Sequence, residues 1–492
     1  MTKWDNDGEL LESFERYTER CYDVFIIYRK PEGAMKVVGI IAEYNPFHNG
    51  HAYQIQRIRE MTQADYVVVA MSGDYVQRGT PAIIDKYVRT DMALSCGADL
   101  VIELPVLWAT ASAEYFAAAG VTLFEKMGCV DMLCFGCECD DLALLTSIAD
   151  ILADEPADFK KSLASYMKQG LAFPVARSKS LLEYLEAVRG SASCGAAQTD
   201  CSNAAQTASS YSSTQIAAVL DAPNNILAIE YMKALRLLHS RIQSLPIKRE
   251  GSGYHDTNPA HPLASASAIR SVLEQNQIKL LRKCGSISDT TGSMPDIADS
   301  LFNIAGSMPA NAYQLLCEYH KDYCFIESRH YSLQLAYLLR TLSPAELASY
   351  GDATDDIANR ILHNLDSFRS YEQFCQLCKS RDITYTRVCR ILLHILLGIH
   401  QEDYSERKDA GYVPYLRVLG FRREAAPLLT TIKAQSTIPL ITKAADAGQI
   451  LSDYDMQLFD MDIAAGNLYE SVLAIHSDKE ARNEYTRQLV IR

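Results

Sequence analysis

Four short apolar runs rich in β-branched residues begin at Val37, Tyr66, Asp99 and Val130, about thirty residues apart, with helical patterns between them. They are Val37 to Ala42, Tyr66 to Met71, Asp99 to Pro105 and Val130 to Phe135. A parallel strand pair needs a crossover of a dozen residues or more, so this period constrains the chain to βαβ units and a parallel sheet. The intervening segments fit. Tyr53, Ile55, Ile58 and Met61 share one helical face, and Asp85 to Cys96, Ala111 to Met127 and Leu142 to Leu152 read as further helices. Ile247-Lys248-Arg249 reads as a fifth strand ending in two cations. Ligands of such sheets bind at the carboxyl ends of the strands.

The first strand ends in the turn signal Asn45-Pro46, with His48, Gly50 and His51 at the start of the next helix. Backbone N–H groups at a helix start favour anions, and Gly50 allows close approach to the backbone. Imidazoles placed there can donate to phosphate oxygens as charge builds at phosphorus. The competing reading of His48 and His51 is a metal half-site or a solvated helix edge.

At 492 residues two or three domains are expected, and 48% hydrophobic with 22% charged residues is the composition of a globular protein. A net charge of −14 argues against broad, nonspecific nucleic-acid binding but leaves room for a local basic face. No run reaches the eighteen or so apolar residues of a membrane helix, and the charged N-terminus lacks a secretory core, so the expected location is cytoplasmic. Cys134-Phe-Gly-Cys137 and Cys375-Gln-Leu-Cys378 are lone pairs without the second pair of a zinc site. No metal held by the protein is expected. Oligomeric state is not legible.

Residues 1–34 fit poorly with the rest of the chain and are expected to be an appended segment, poorly ordered or helical. Residues 35–285 are expected to form a Rossmann-like α/β domain, with the small, polar stretch 190–213 as a flexible insertion. A loop-like break at 285–295 precedes a mainly α-helical domain at 296–492, including a long helical stretch from Ser367 to Leu397.

Further clusters lie after the strands. They are Ser72 to Gly79, Asp85-Lys86 with Arg89, Phe135-Gly136-Cys137-Glu138, Pro223-Asn224-Asn225, Lys248-Arg249 with Tyr254-His255-Asp256, and Ala264 to Arg270. The order Pro-Phe-His-Asn-Gly-His resembles the HxGH signature of the nucleotidyltransferase superfamily. Together the blocks GIIAEYNPFHNGH, DLVIELP, PNNILAIEY, IKR and ASASAIR, with Tyr385 to His394 and Arg417 to Phe421 in the helical region, resemble the tRNA(Met) cytidine acetate ligases from about Met35 to the C-terminus. One departure is Cys137 where that family usually has serine.

The resemblance implies an ATP-dependent ligase forming N4-acetylcytidine at the wobble position of elongator tRNA(Met), with acetate as acyl source and acetyl-adenylate as intermediate. It implies ATP contacts at Val38, Gly39, Ile40, Ile41, Ala42, Glu43, Tyr44, Asn45, Pro46, Phe47, His48, Asn49, Gly50 and His51, and at Gly136, Asn224 and Arg249. Catalytic candidates are His48, His51 and Lys86, with Arg89 and Arg270 serving ATP or RNA, and Mg2+ carried in with ATP. Candidate RNA contacts are Lys379, Arg381, Arg387, Arg390, Arg417, Arg422 and Arg423, with Tyr385 and Phe421 placed to stack on bases. Two other readings share parts of this pattern. One is a small-molecule adenylyl- or cytidylyltransferase, which needs no large helical domain. The other is a non-catalytic nucleotide- or RNA-binding protein, which has no reason to keep both histidines.

Overall fold

A computed structural model describes residues 35–193, 202–249, 264–274 and 304–492. Residues 1–34, 194–201, the Tyr254-His255-Asp256 block and the 285–295 break lie outside the described residues. Residues Val37–Arg492 form one compact unit.

The expected strands and helices alternate as β1 (Val37–Ala42), α1 (Asn49–Thr62), β2 (Tyr66–Ser72), α2 (Lys86–Ser95), β3 (Leu100–Leu104), α3 (Ala113–Met127), β4 (Met132–Cys137) and α4 (Leu142–Asp154). Later come α5 (Pro223–Leu237), β5 (Gln243–Lys248), α6 (Tyr385–Leu397), β6 (Leu416–Phe421), β7 (Leu440–Ile441) and β8 (Val490–Ile491). The strands make one sheet of eight in the order β8-β6-β3-β2-β1-β4-β5, with β7 beside β6. Strands β1 to β5 are mutually parallel. Their order reverses direction between β2-β1 and β1-β4, which makes the carboxyl end of β1 the switch point where such sheets bind ligands.

The central strands are buried on both faces, which is why they read as continuous apolar runs and not as alternating ones. Helix α3 lies directly on β1. A Cβ on Gly120 would fall 2.6 Å from Ile41, and one on Gly39 would fall 2.8 Å from Phe124. This close fit holds β1, and hence the turn after it, in place.

Three features differ from the sequence expectation. The mainly helical C-terminal segment returns three strands to the same sheet, and β6 pairs antiparallel with β3. Arg417 to Phe421, expected within a helical region, is thus a strand. Second, the stretch 190–213 is partly helical. Asn203–Ser209 is a helix capped by Ser202, and its Ala205 and Ala208 are wholly buried. Small side chains there permit close helix packing, which composition alone reads as looseness. Third, Ser367 to Leu397 is broken into Tyr371–Cys378 and α6, because Thr384 caps a new helix by accepting from the N–H of Arg387. Among the described residues no helix is long and apolar enough to cross a membrane.

Candidate nucleotide site

The turn after β1 is held from several sides by the protein itself. The N–H of Ile83 donates to Asn45 Oδ1 at 2.9 Å, and the Arg270 guanidinium donates to the Asn45 carbonyl at 2.6 Å. The N–H of Gln77 donates to Glu43 Oε1 at 3.0 Å. Tyr44 and Phe47 are buried and pack edge-on at 4.8 Å. Tyr44 packs on the His51 ring at 4.7 Å.

His48 is the N-cap of α1 and forms a reciprocal box with His51. The N–H of Gly50 donates to His48 Nδ1 at 3.0 Å, and the N–H of His48 donates to His51 Nδ1 at 3.2 Å. Each Nδ1 is therefore an acceptor, so each ring carries its proton on Nε2. The rings stack at 3.7 Å. Burial, with the charges of Arg249 and Arg270, lowers the His48 pKa to about 3. Desolvation, His48 and Arg249 hold His51 well below its ordinary range. Both imidazoles are neutral at pH 7. They can give an anion two adjacent N–H donors, while the positive charge comes from the arginines.

Those arginines come from different elements. Arg249 lies just beyond β5, its N–H donating to the Cys137 carbonyl at 2.9 Å. Its side chain lies alongside Gly136, where an added Cβ would meet it at 3.3 Å. Arg270 ends a turn of the helix spanning 266–274 and also donates to Ser267 Oγ at 3.0 Å. Glu138 joins the site from the end of β4 and Asn224 from the start of α5. The Asn224 amide donates to Glu138 Oε1 at 2.6 Å. His51, Gly136, Glu138, Asn224 and Arg270 are all partly open, and Arg249 is exposed, against a buried surround. They gather at the switch point, where sheets of this kind have their ligand crevice, with Arg249 beside Gly136 and the Asn224 amide paired with Glu138.

Cys137 is not part of this crevice. It is wholly buried, with Sγ 3.7 Å from the Ile247 carbonyl, and burial pushes its thiol up to about 12. Adjacent strand residues face opposite ways, so Gly136 and Glu138 face the crevice while position 137 faces the core. Cysteine for serine there is a change in the core.

Several cations singled out by sequence lie elsewhere. Lys86 is 1% exposed, with Nζ 2.7 Å from both Glu103 and Glu484. Arg89 is fully buried and donates to the carbonyls of Glu43, Ser72, Gly73 and Ile84. Arg417 pairs with Glu103 at 3.0 Å and Glu484 at 2.6 Å. None of the three is open to phosphate or RNA, and each holds the fold together. Among the RNA candidates, Arg387 and Arg390 fold onto Asp352. Arg422 and Arg423 come after β6, which runs against β3, so they lie beside Asp99 at the end of the sheet opposite His48. Lys379 and Arg381 are exposed in the turn before α6, whose backbone at Arg390 abuts Gly79 above the carboxyl end of β2. Tyr385 is half-buried at the start of α6, its hydroxyl hydrogen-bonded to Cys389, and Phe421 is half-buried in β6.

The sequence groups Glu138 with Gly136 and Asn225 with Asn224 after the strands, but it gives Glu138 no role and Asn225 only that of a possible cap. The available signal is Ala222-Pro223 at the start of α5. A helix start with no capping side chain of its own needs an acceptor from another element. Among the described residues no group of three or more His, Cys, Asp or Glu side chains is arranged to hold a metal. Cys375 and Cys378 are both buried, and Cys375 Sγ faces Cys389 at 3.5 Å.

A family model described as HIGH Nucleotidyl Transferase matches residues 35–484. A protein of Acetivibrio thermocellus named tRNA(Met) cytidine acetate ligase is 35% identical over 458 residues, covering 93% of this chain and 100% of its own. One of the same name from Clostridium perfringens is 37% identical over 436 residues, covering 88% and 95%. Among solved structures, Thermotoga maritima TmcAL bound with alpha-thio ATP is similar with a TM-score of 0.78 at 25% identity, covering 93% of this chain and 100% of its own. Its apo form gives 0.79, also at 25% identity, covering 93% and 99%.

Proposed function

The chain belongs to the tRNA(Met) cytidine acetate ligase family, and from that premise we propose that it uses ATP and acetate to form N4-acetylcytidine at the wobble position of elongator tRNA(Met). Carboxylate is a poor acyl donor because its leaving group is oxide. An acetate oxygen attacks the α-phosphorus of ATP, the bond to the bridging oxygen breaks, and pyrophosphate leaves. Cytidine N4 then attacks the acetyl carbonyl, AMP leaves, and N4 loses a proton.

The observation that carries this reading is the stacked His48–His51 pair, neutral and bearing Nε2–H, under the charges of Arg249 and Arg270. Neutral donors respond to the charge that develops on the phosphate oxygens without carrying a proton of their own to lose. The arginines balance the charge of the triphosphate and of departing pyrophosphate. Lys379 and Arg381 are the cations best placed for RNA, on the turn leading into α6. The donor set at the crevice is mostly nitrogen, whereas magnesium takes oxygen ligands, so the described residues offer no cage and Mg2+ arrives with ATP. A cytoplasmic location fits a tRNA substrate.

The test is direct. Purified protein with ATP, acetate and unmodified elongator tRNA(Met) yields tRNA whose nuclease digest contains N4-acetylcytidine by mass spectrometry. Absence of that nucleoside, with AMP transferred to a small metabolite, would overturn the reading.

A further inference from the structure

We propose that Glu138 is a positioning residue of the nucleotide site, fixing Asn224 so that its amide carbonyl accepts a hydrogen bond from the nucleoside half of ATP. This rests on the proposed binding of ATP at the crevice.

Helix α5 starts with Ala222 as N-cap and Pro223 at its first position, and it has no capping side chain of its own. The acceptor comes from β4 instead. Glu138 Oε2 takes the Asn225 N–H at 3.0 Å, and Oε1 takes the Asn224 amide at 2.6 Å. Buried Asn225 closes the ring, its Oδ1 accepting from the N–H of Glu138 at 2.8 Å and of Cys139 at 3.0 Å.

This ring of bonds has two consequences. A helix N-terminus ordinarily attracts an anion. Here the protein's own carboxylate occupies that place, and its charge repels phosphate, so this wall of the crevice suits the uncharged nucleoside. The phosphates belong with the N–H donors and cations of His48, His51, Arg249 and Arg270. Second, the amide nitrogen of Asn224 is committed to Glu138, so the edge facing away from Glu138 is the carbonyl. It matches a donor on the ligand, either the adenine amine or a ribose hydroxyl.

The experiment measures ATP affinity of the full chain by calorimetry, with melting temperature alongside. Glu138→Gln is expected to weaken ATP about tenfold, the worth of one well-made hydrogen bond, while kcat at saturating ATP changes little. Glu138→Gln with Asn224→Asp is expected to regain most of the loss. The new glutamine nitrogen donates to the aspartate, and its oxygen still accepts from Asn225. Asn224→Ala leaves the Glu138–Asn225 bond intact and is expected to weaken ATP by the same factor, which covers poor folding of the position-138 variants. Inosine triphosphate lacks the amine and 2′-deoxy-ATP lacks a hydroxyl. The analogue missing Asn224's partner binds the wild type more weakly and is indifferent to Glu138→Gln. ATP affinity unchanged in Glu138→Gln or Asn224→Ala, no recovery in the double variant, or both analogues still sensitive to Glu138→Gln would each overturn the proposal. Wild-type protein that does not bind ATP would overturn the nucleotide reading itself, and this inference with it.

Discussion

Lys86 separates a structural role from a catalytic one. Its ammonium sits with Arg417, Arg89, Glu103, Glu484 and Asp74 in a network of three cations and three carboxylates whose side chains are at most 4% exposed. Burial and Arg417 oppose its charge, but Glu103, Glu484 and Asp74 outweigh them and keep it protonated. Lys86→Met leaves three buried carboxylates facing two guanidinium groups. Breaking a buried pair from one side costs about 3–5 kcal/mol, mostly as an uncompensated charge. Glu484→Gln added to Lys86→Met restores two cations to two anions and is expected to recover at least half of that. The assay is urea denaturation followed by circular dichroism, with ATP affinity measured on folded protein. The single variant should lose stability and keep ATP affinity within about twofold, less than half a kcal/mol. Unchanged stability with lost ATP binding would refute this account and return Lys86 to the phosphates.

The charges lead to two further outcomes. His48 has a folded pKa of about 3 against an ordinary value of 6.5. Between those values the unfolded chain takes up a proton that the folded chain refuses. The corresponding stability is fully present above pH 6.5 and is lost as pH falls toward 3. Melting temperature against pH should therefore slope less in this window for His48→Asn than for wild type, and equal slopes would contradict the buried neutral imidazole. For RNA, serine at both Lys379 and Arg381 should weaken tRNA in filter binding and lower its salt dependence by about one per cation removed. Serine at both Arg422 and Arg423 should change neither, since those cations lie at the other end of the sheet.

What the sequence disclosed and what it hid divide along physical lines. Strand period, the Asn-Pro turn and the His-x-x-His spacing are local, and they placed β1, α1 and the histidine pair. Because strands of a parallel sheet all point their carboxyl ends one way, the sequence already puts Gly136 and Arg249 on the same edge. Burial of charge is not local. Lys86, Arg89 and Arg417 look in one dimension like Arg249, and only the return of β6 and Glu484 from the far end of the chain encloses Lys86 and Arg417. Strand β6 is short and sits among helices, and nothing in Leu-Arg-Val-Leu-Gly-Phe announces a partner three hundred residues earlier. The Ala205–Ala208 seam reads as flexibility because small residues mark both loose linkers and tight helix contacts. The pairing of Glu138 escapes notice because its partners, Asn224 and Asn225, lie on a helix far along the chain.

The central claim is that acetate is activated on ATP at the His48–His51 crevice, and the most direct measurement is acetate-dependent exchange of labelled pyrophosphate into ATP. Wild-type protein should exchange label only when acetate is present, and His51→Ala should reduce the rate on the order of 10²–10³-fold, as expected for loss of one preorganised donor to developing charge. Exchange without acetate, or full exchange in His51→Ala, would contradict the account.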